Sequence, residues 1–368
     1  MKFVISKAEL VKLIGTIQNV VAQKAPIPIL SNFLLEAANG EIILTATDLT
    51  VGIRCFAPAK IEQEGATTLP AKRVFQLVRE LTAANIEVST GSNEITEIRA
   101  GSSVFRLHGM SRSEFPALPD LEGSTKFKIS QEKLREVLFR TSFAVSREDN
   151  RYVLTGVLMQ VANGGATFVG TDGKRLSKSA LSVALDSSFT ADYVIPLKAV
   201  DEIFKGLTEE GEATVYLMSD KIAVESDDTI VITKLLSGDY PDFNRVIPED
   251  SDVRVDLHRE ELASLLRQIA LFTVDNNHSV RFTFQDSELF LTANNMEVGD
   301  GKVSMPVNYH GPKLDIAFNP TFFLDILRHS KCETVAIGIT DSYNPGVVTD
   351  NSAEDSLFVI MPMRLSAE

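Results

Sequence analysis

The strongest constraint on this chain is that its sequence pattern recurs three times. Three stretches open alike: Phe3-Val4-Ile5-Ser6-Lys7-Ala8-Glu9-Leu10, Phe127-Lys128-Ile129-Ser130-Gln131-Glu132-Lys133-Leu134 and Val255-Asp256-Leu257-His258-Arg259-Glu260-Glu261-Leu262. Their last leucines lie 124 and then 128 positions apart, a period the size of a domain. Each opening reads as a short strand, a capping residue and a helix. Ser6 and Ser130 suit an N-cap, and Glu9 completes a capping box in the first copy. Apolar residues then follow at helical spacing: Leu10, Leu13, Ile14, Ile17; Leu134, Val137, Leu138; Leu262, Leu265, Leu266, Ile269.

A hairpin comes next in each copy. Asn39-Gly40 and Asn163-Gly164 sit between β-rich runs, and Asn-Gly is the strongest short hairpin signal. The third copy has Gln285-Asp286-Ser287-Glu288 there. Thr47-Asp48 recurs as Thr171-Asp172 and weakly as Asn294-Asn295. A second helix begins beside a proline in all three, at Pro70, Pro196 and Pro320. The first two copies end in related loops that lead to Pro119-Asp120 and Pro248-Glu249, read here as linkers. The expected architecture is therefore α+β, with three tandem domains over 1–120, 121–249 and 250–368. Each packs two helices on an antiparallel sheet. At 44% hydrophobic, 368 residues suffice for three cores.

Charge is distributed unevenly over this plan. The chain holds 36 Lys and Arg against 50 Asp and Glu, a net of −14. The expected helices span 6–24, 72–84, 130–148, 198–208, 258–272 and 320–331. They hold 16 basic and 10 acidic residues, leaving 20 and 40 elsewhere. Basic helices on an acidic body suggest a polyanion partner on the helix side. The bland alternative is a set of solvated helix faces.

Enzyme signatures are lacking: there is no GxGxxG, GxxxxGK[ST], HExxH or GxSxG. The five histidines show no ligand spacing, and Cys55 and Cys332 form no CxxC pair, so neither a metal nor a cofactor is expected. No apolar run approaches the ~20 residues of a membrane span, and a reducing cytoplasm is the expected location. Without Trp, base stacking is unsupported, so any nucleic-acid contact is expected to be electrostatic and indifferent to sequence.

Several stretches carry a family resemblance: Pro28-Ile29-Leu30-Ser31-Asn32, Thr45-Ala46-Thr47-Asp48-Leu49, Arg151-Tyr152-Val153-Leu154-Thr155-Gly156, Thr171-Asp172-Gly173-Lys174-Arg175-Leu176, Gly238-Asp239-Tyr240-Pro241-Asp242-Phe243 and Met361-Pro362-Met363-Arg364. In order and over the whole length, the chain resembles the bacterial sliding clamps, the β subunits of DNA polymerase III. The resemblance implies a non-catalytic processivity factor: a homodimeric closed ring with helices around duplex DNA and sheets outside. It implies as partners the replicative polymerase, the clamp loader, and other polymerases and repair proteins that bring short linear motifs.

The resemblance also implies a partner-peptide pocket of Leu154, Thr171, Gly173, Lys174, Arg175, Leu176, Pro241, Val246, Val359, Met361, Pro362 and Met363, with Arg364 beside it. Met, Pro, Leu and Val suit an adaptable apolar groove. The implied DNA contacts are Lys24, Arg73, Arg147, Tyr152 and Lys198. The implied dimer contact joins Phe105 and Leu107 of the first domain to Leu271 and Phe272 of the third. Val153 stands where some members carry an aromatic residue, and Lys174 where some carry His. Two other readings compete: a carboxylate enzyme on a three-unit scaffold, and a protein-binding adaptor that ignores DNA.

Overall fold

The computed structural model describes residues 1–21, 27–249, 251, 253–273, 278–350 and 355–364. Lys24 and the tail 366–368 lie outside them.

Six α-helices occur among the described residues: α1 (Lys7–Ile17), α2 (Ala71–Glu80), α3 (Gln131–Ser142), α4 (Leu197–Gly206), α5 (Arg259–Ile269) and α6 (Pro320–His329). They are the six the repeat demands, but shorter than the apolar pattern suggested. Val20, Val21, Ala144 and Val145 are buried beyond the helix ends, so the spacing continued through turns that keep facing the core. Ser6 caps α1: its Oγ accepts from Glu9 N at 3.2 Å and donates to the Glu9 carboxylate at 2.7 Å. His258 takes the capping role for α5, with Nδ1 accepting from Glu261 N at 3.3 Å. The hairpin turns match as well. Asn39-Gly40, Asn163-Gly164 and Asp286-Ser287 all have positive φ at both positions, the backbone of a type I′ turn.

The described residues divide into two compact units, 1–134 with 198–235 and 135–197 with 236–368. Each unit holds one whole end repeat and half of the middle one. The reason is sheet continuity. In the first unit an eight-stranded antiparallel sheet runs Thr125–Ser130, Glu212–Leu217, Lys221–Ser226, Thr229–Lys234, Val51–Pro58, Glu41–Thr47, Asn32–Ala38, Gly65–Pro70. Strands of two repeats join where Thr229–Lys234 pairs with Val51–Pro58. In the second unit the matching sheet runs Ala191–Pro196, Gly156–Ala162, Gly165–Thr171, Arg175–Ser182, Ser356–Ile360, Gly346–Asp350, Thr334–Ile339, Val253–His258. There the joint is Arg175–Ser182 on Ser356–Ile360.

Each unit also has a smaller sheet with an open edge. In the first unit a five-stranded sheet ends on Ser103–His108, and in the second a four-stranded sheet ends on Gly299–Pro306. Helices bury their apolar faces on these layers: Leu10, Leu13, Ile14 and Ile17 of α1, and Phe323, Ile326 and Leu327 of α6, are all sealed from solvent. The core of the third repeat is rich in aromatics, with Phe282 stacked on Phe323 at 5.2 Å and edge-on to Phe318 at 5.3 Å.

The charge picture changes with the structure. Arg147 and Lys331 fall outside the helices, which shrinks the basic excess. Arg140 is fully buried in a bidentate pair with Asp350, Nη1 to Oδ1 at 3.2 Å and Nη2 to Oδ2 at 3.3 Å. Lys12 pairs with Asp228 at 2.6 Å and Lys205 with Glu202 at 2.7 Å. Arg140 thus serves the joint between the second and third repeats and is unavailable to a polyanion. Lys72, Arg73, Arg79 and Arg267 remain exposed.

A candidate peptide pocket and its neighbouring surfaces

The second unit contains a cavity of about 180 Å³. One wall is the loop after Gly165–Thr171. Thr171 Oγ1 donates to Arg175 O at 2.6 Å and accepts from Gly173 N at 3.1 Å. Asp172 Oδ1 accepts from the amides of Lys174 and Arg175 at 2.9 and 3.0 Å. These bonds fold the loop tightly and put Gly173 at φ +82°, a conformation glycine takes without a Cβ penalty. A Cβ there would also stand 2.5 Å from Arg151 Nη1.

Arg175 is the anchor of this wall. Its Nε bonds Asp172 at 3.1 Å, Nη1 bonds Asp325 of α6 at 2.6 Å, and Nη2 donates to Phe143 O at 3.0 Å. Its guanidinium lies over the rings of Phe143 and Phe322, 5.3 and 4.7 Å from their centres. Held on five sides, it presents a fixed edge rather than a mobile cation. His329, stacked on Phe143 at 4.1 Å, donates through Nδ1 to Asp325 O at 2.7 Å. Burial pushes its pKa down, outweighing the Asp325 carbonyl bond, and keeps it neutral beside Arg175.

The opposite wall comes from the end of the strand Ser356–Ile360. Met361 N donates to Lys174 O at 3.0 Å, which carries the side chain of Met361 over the opening. The third side is the short turn Phe243–Val246, capped by Asp242, whose Oδ1 accepts from Asn244 N at 3.2 Å. Phe243 is buried with Leu176, Leu158, Val169 and Val359. Val246 and Met361 stay more than a third exposed, as an apolar rim ready for a ligand must. An apolar cavity of about 150 Å³ accommodates a benzene ring, so this one has the volume of one aromatic or branched aliphatic side chain.

Of the residues expected here, Leu154, Thr171, Gly173, Arg175, Leu176, Pro241, Val246, Val359 and Met361 line the cavity. Lys174 contributes its carbonyl and leaves its side chain exposed. Pro362, Met363 and Arg364 do not line it: Met363 N turns away to bond Ala317 O at 2.7 Å, and Arg364 is exposed. Arg151, Asp242 and Phe243 line it without having been singled out. All three stood inside stretches already quoted, Arg151 at the head of one and Asp242 and Phe243 beside Pro241 in another. Arg151 reaches the cavity only because Gly173 leaves it space.

The other expected contacts are dispersed. Arg73 is exposed on α2, Arg147 is exposed just beyond α3, and Tyr152 is 57% exposed. Lys198 of α4 is engaged with Asp48 at 2.6 Å. Burial opposes ionisation of Asp48, but the bonds from Lys198, Val51 N and Thr50 N prevail and hold its pKa below the ordinary value. Phe105 and Leu107 lie on the edge strand Ser103–His108, with Phe105 37% exposed. Leu271, 75% exposed, and Phe272 form a turn after α5. Phe272 packs against the edge strand Gly299–Pro306, close enough that a Cβ on Gly301 would stand 2.9 Å from its ring.

Among the described residues no three His, Cys, Asp or Glu side chains are grouped to hold a metal, and no helix is long and apolar enough to cross a membrane. Repeats, shared sheets and an apolar cavity open at its rim define a class: a multidomain scaffold of joined repeats.

Comparison with known proteins specifies the family. Residues 1–119, 128–242 and 244–364 match the N-terminal, central and C-terminal domains of the DNA polymerase III beta subunit. The beta sliding clamp of Chlamydia pneumoniae is 58% identical over 365 residues, covering 99% of each chain, and that of Escherichia coli K12 is 30% identical, covering 99% of this chain and 100% of its own. The DNA polymerase sliding clamp of Bacillus subtilis superposes with a TM-score of 0.95 at 25% identity, over 100% of both chains. A sliding clamp of Pseudomonas aeruginosa, solved bound to griselimycin, superposes with a TM-score of 0.95 at 30% identity, over 99% of this chain and all of its own. The chain belongs to the DNA polymerase III beta subunit family, the beta sliding clamps. It is a non-catalytic processivity subunit, homodimeric, that binds DNA, the polymerase and other partners.

Proposed function

We propose that two copies close head to tail into a ring, the edge strand Ser103–His108 of one copy pairing with Gly299–Pro306 of the next. The observation that carries this is an edge strand in each unit with exposed apolar side chains on it or beside it. The first exposes Val104 and Phe105, and the second is flanked by exposed Leu271 and Val298. Unpaired strand edges with apolar side chains invite strand addition. Two such junctions per dimer satisfy both edges, and a heterologous contact that closes makes a ring.

In this reading the divisions are 1–120, 121–249 and 250–368, supported by three family matches in the same order, over 1–119, 128–242 and 244–364. Duplex DNA passes through without being read, held by phosphate contacts from Lys24, Arg73, Arg147, Tyr152 and Lys198. Retention is topological and follows from closure rather than from contact strength. The cavity under Met361 takes apolar residues of linear peptides from the polymerase, the clamp loader and repair proteins, which raises their effective concentration at the primer end. The chain works in the cytoplasm, where bacterial DNA lies.

The test is retention on DNA of different topology. Loaded on a nicked circle the protein stays; on a linear duplex of equal length it runs off the ends. Equal loss from both discards encirclement.

A further inference from the structure

The first unit contains a groove of about 460 Å³ that shares its loop, its strand joint and its proline wall with the cavity under Met361, though Val51 stands where Arg175 anchors that cavity and does not line the groove. The equivalence can be read bond by bond. Thr47 Oγ1 donates to Val51 O at 3.0 Å and accepts from Leu49 N at 3.0 Å, as Thr171 does with Arg175 and Gly173. Asp48 Oδ1 accepts from the amides of Thr50 and Val51 at 2.9 and 2.7 Å, as Asp172 does from those of Lys174 and Arg175. Gly52 faces Ile232 across the joined strands, where Leu176 faces Val359. Pro116 and Leu118 wall the groove as Pro241 and Phe243 wall the cavity.

Three differences set the chemistry. Gly52 replaces Leu176, and Leu118 moves into the space: a Cβ on Gly52 would stand 2.5 Å from Leu118 Cδ2. Leu49 replaces Gly173 yet keeps the left-handed turn at φ +74°, while 45% exposed. A bulky residue in that region is strained, and here little burial compensates, as expected where strain serves a site. Lys234, exposed, stands one strand position past Thr233 as Met361 does past Ile360, and Lys221 joins it on the rim, in a pair with Asp220 at 2.9 Å. An apolar floor thus carries two cations on one side.

We infer that this groove is a second peptide-docking site, selective for a linear segment in which a carboxylate neighbours an apolar anchor. The apolar residue packs on Leu49, Leu118 and Ile232, and the carboxylate meets Lys221 and Lys234. The inference rests on the reading of the Met361 cavity as a peptide site, from which its chemistry is transposed.

Photo-crosslinking with site mapping separates the two. The probe is the acetylated tetrapeptide Glu-Leu-Glu-Phe amide carrying benzoylphenylalanine at its last position, and its control replaces both Glu with Lys. The full-length protein should be labelled on 116–119 or 232–234 as well as on 241–246 or 359–361. Lys221→Glu with Lys234→Glu should cut first-unit labelling by the acidic probe about tenfold, restore labelling by the lysine probe, and leave the second unit unchanged. Labelling confined to the second unit overturns this inference and leaves the Met361 site standing. Labelling confined to the first unit supports it and removes the other reading. First-unit labelling that ignores both lysines, or no labelling anywhere, overturns it.

Discussion

Arg140→Ala tests how the second and third repeats are joined. Arg140 is the largest fully sealed side chain among the described residues, and both it and Asp350 have side chains at 0% exposure. The pair spans 210 residues of sequence and ties α3 to the strand Gly346–Asp350. Asp350 also accepts from Lys331 N at 2.7 Å, and Arg140 O accepts from Ser177 Oγ at 2.6 Å. Truncating the arginine leaves a carboxylate in the interior without its bidentate partner, a loss of about 3–5 kcal/mol. With a urea slope of about 2–3 kcal/mol per molar, the transition of the second unit should move down by roughly 1–2 M. Far-ultraviolet circular dichroism against urea reads it. Arg140→Met combined with Asp350→Asn should recover most of the loss, since it removes both charges and keeps an acceptor for Lys331 N. An Arg140→Ala midpoint within a few tenths molar of the parent, or a double variant as weak as the single, refutes the reasoning.

Gly173→Ala keeps the fold but places a methyl against Arg151 at an unfavourable φ. Stability should fall by about 1 kcal/mol and peptide affinity several-fold, measured by calorimetry. Met361→Ala removes a partly exposed rim side chain, for about 1 kcal/mol of peptide binding, with the dimer intact by sedimentation. Phe105→Asp should leave the far-ultraviolet circular dichroism unchanged and convert dimer to monomer in sedimentation equilibrium, with the melting temperature losing its dependence on protein concentration; an unaltered dimer would remove the edge-pairing proposal. Asp48 is held below its ordinary value of 3.8 in the folded state, so its contribution is present at neutral pH and lost as pH falls through the folded value. Asp48→Asn should therefore cost stability near neutrality, and that deficit should shrink in melts carried below about pH 4.

The repeat, the hairpins and the tight Thr-Asp loops were legible because they are local: the side chain that stabilises each turn lies within four residues of what it bonds. Helix ends were not. Val20, Val21 and Val145 continue the apolar pattern although the chain has left the helix, because periodicity records which side faces the core and not which backbone carries it. The two joined sheets were invisible as well, since pairing of Thr229–Lys234 with Val51–Pro58 has no local signature. Arg140 shows the cost of this most sharply. On a helix it reads as one more basic residue, and only the fold brings Asp350 to it. In the pocket, residue types were legible and reach was not. Arg151 enters because of an absent side chain at Gly173, while Met363 leaves because its backbone is taken by Ala317.

The ion pairs also bear on how a clamp can hold DNA and still move. A cation committed to a carboxylate offers a phosphate less, because engaging the phosphate means sharing or breaking a contact already made. Lys12, Lys198, Lys205 and Arg328 are all so committed, to Asp228, Asp48, Glu202 and Asp325. Each fully engaged cation adds about 0.9 to the slope of log affinity against log salt, so in the proposed reading, where Lys198 meets the duplex, its pair with Asp48 keeps that slope shallower and the grip weaker. Weak phosphate contacts are what sliding needs, provided closure prevents escape. Asp48→Asn should therefore unmask Lys198 and steepen the salt dependence of retention on linear duplex by up to one unit, slowing run-off at low salt and leaving it unchanged at high salt. Run-off that keeps the parent's salt dependence would show that Lys198 does not face the phosphates, and would remove it from the DNA-contacting set.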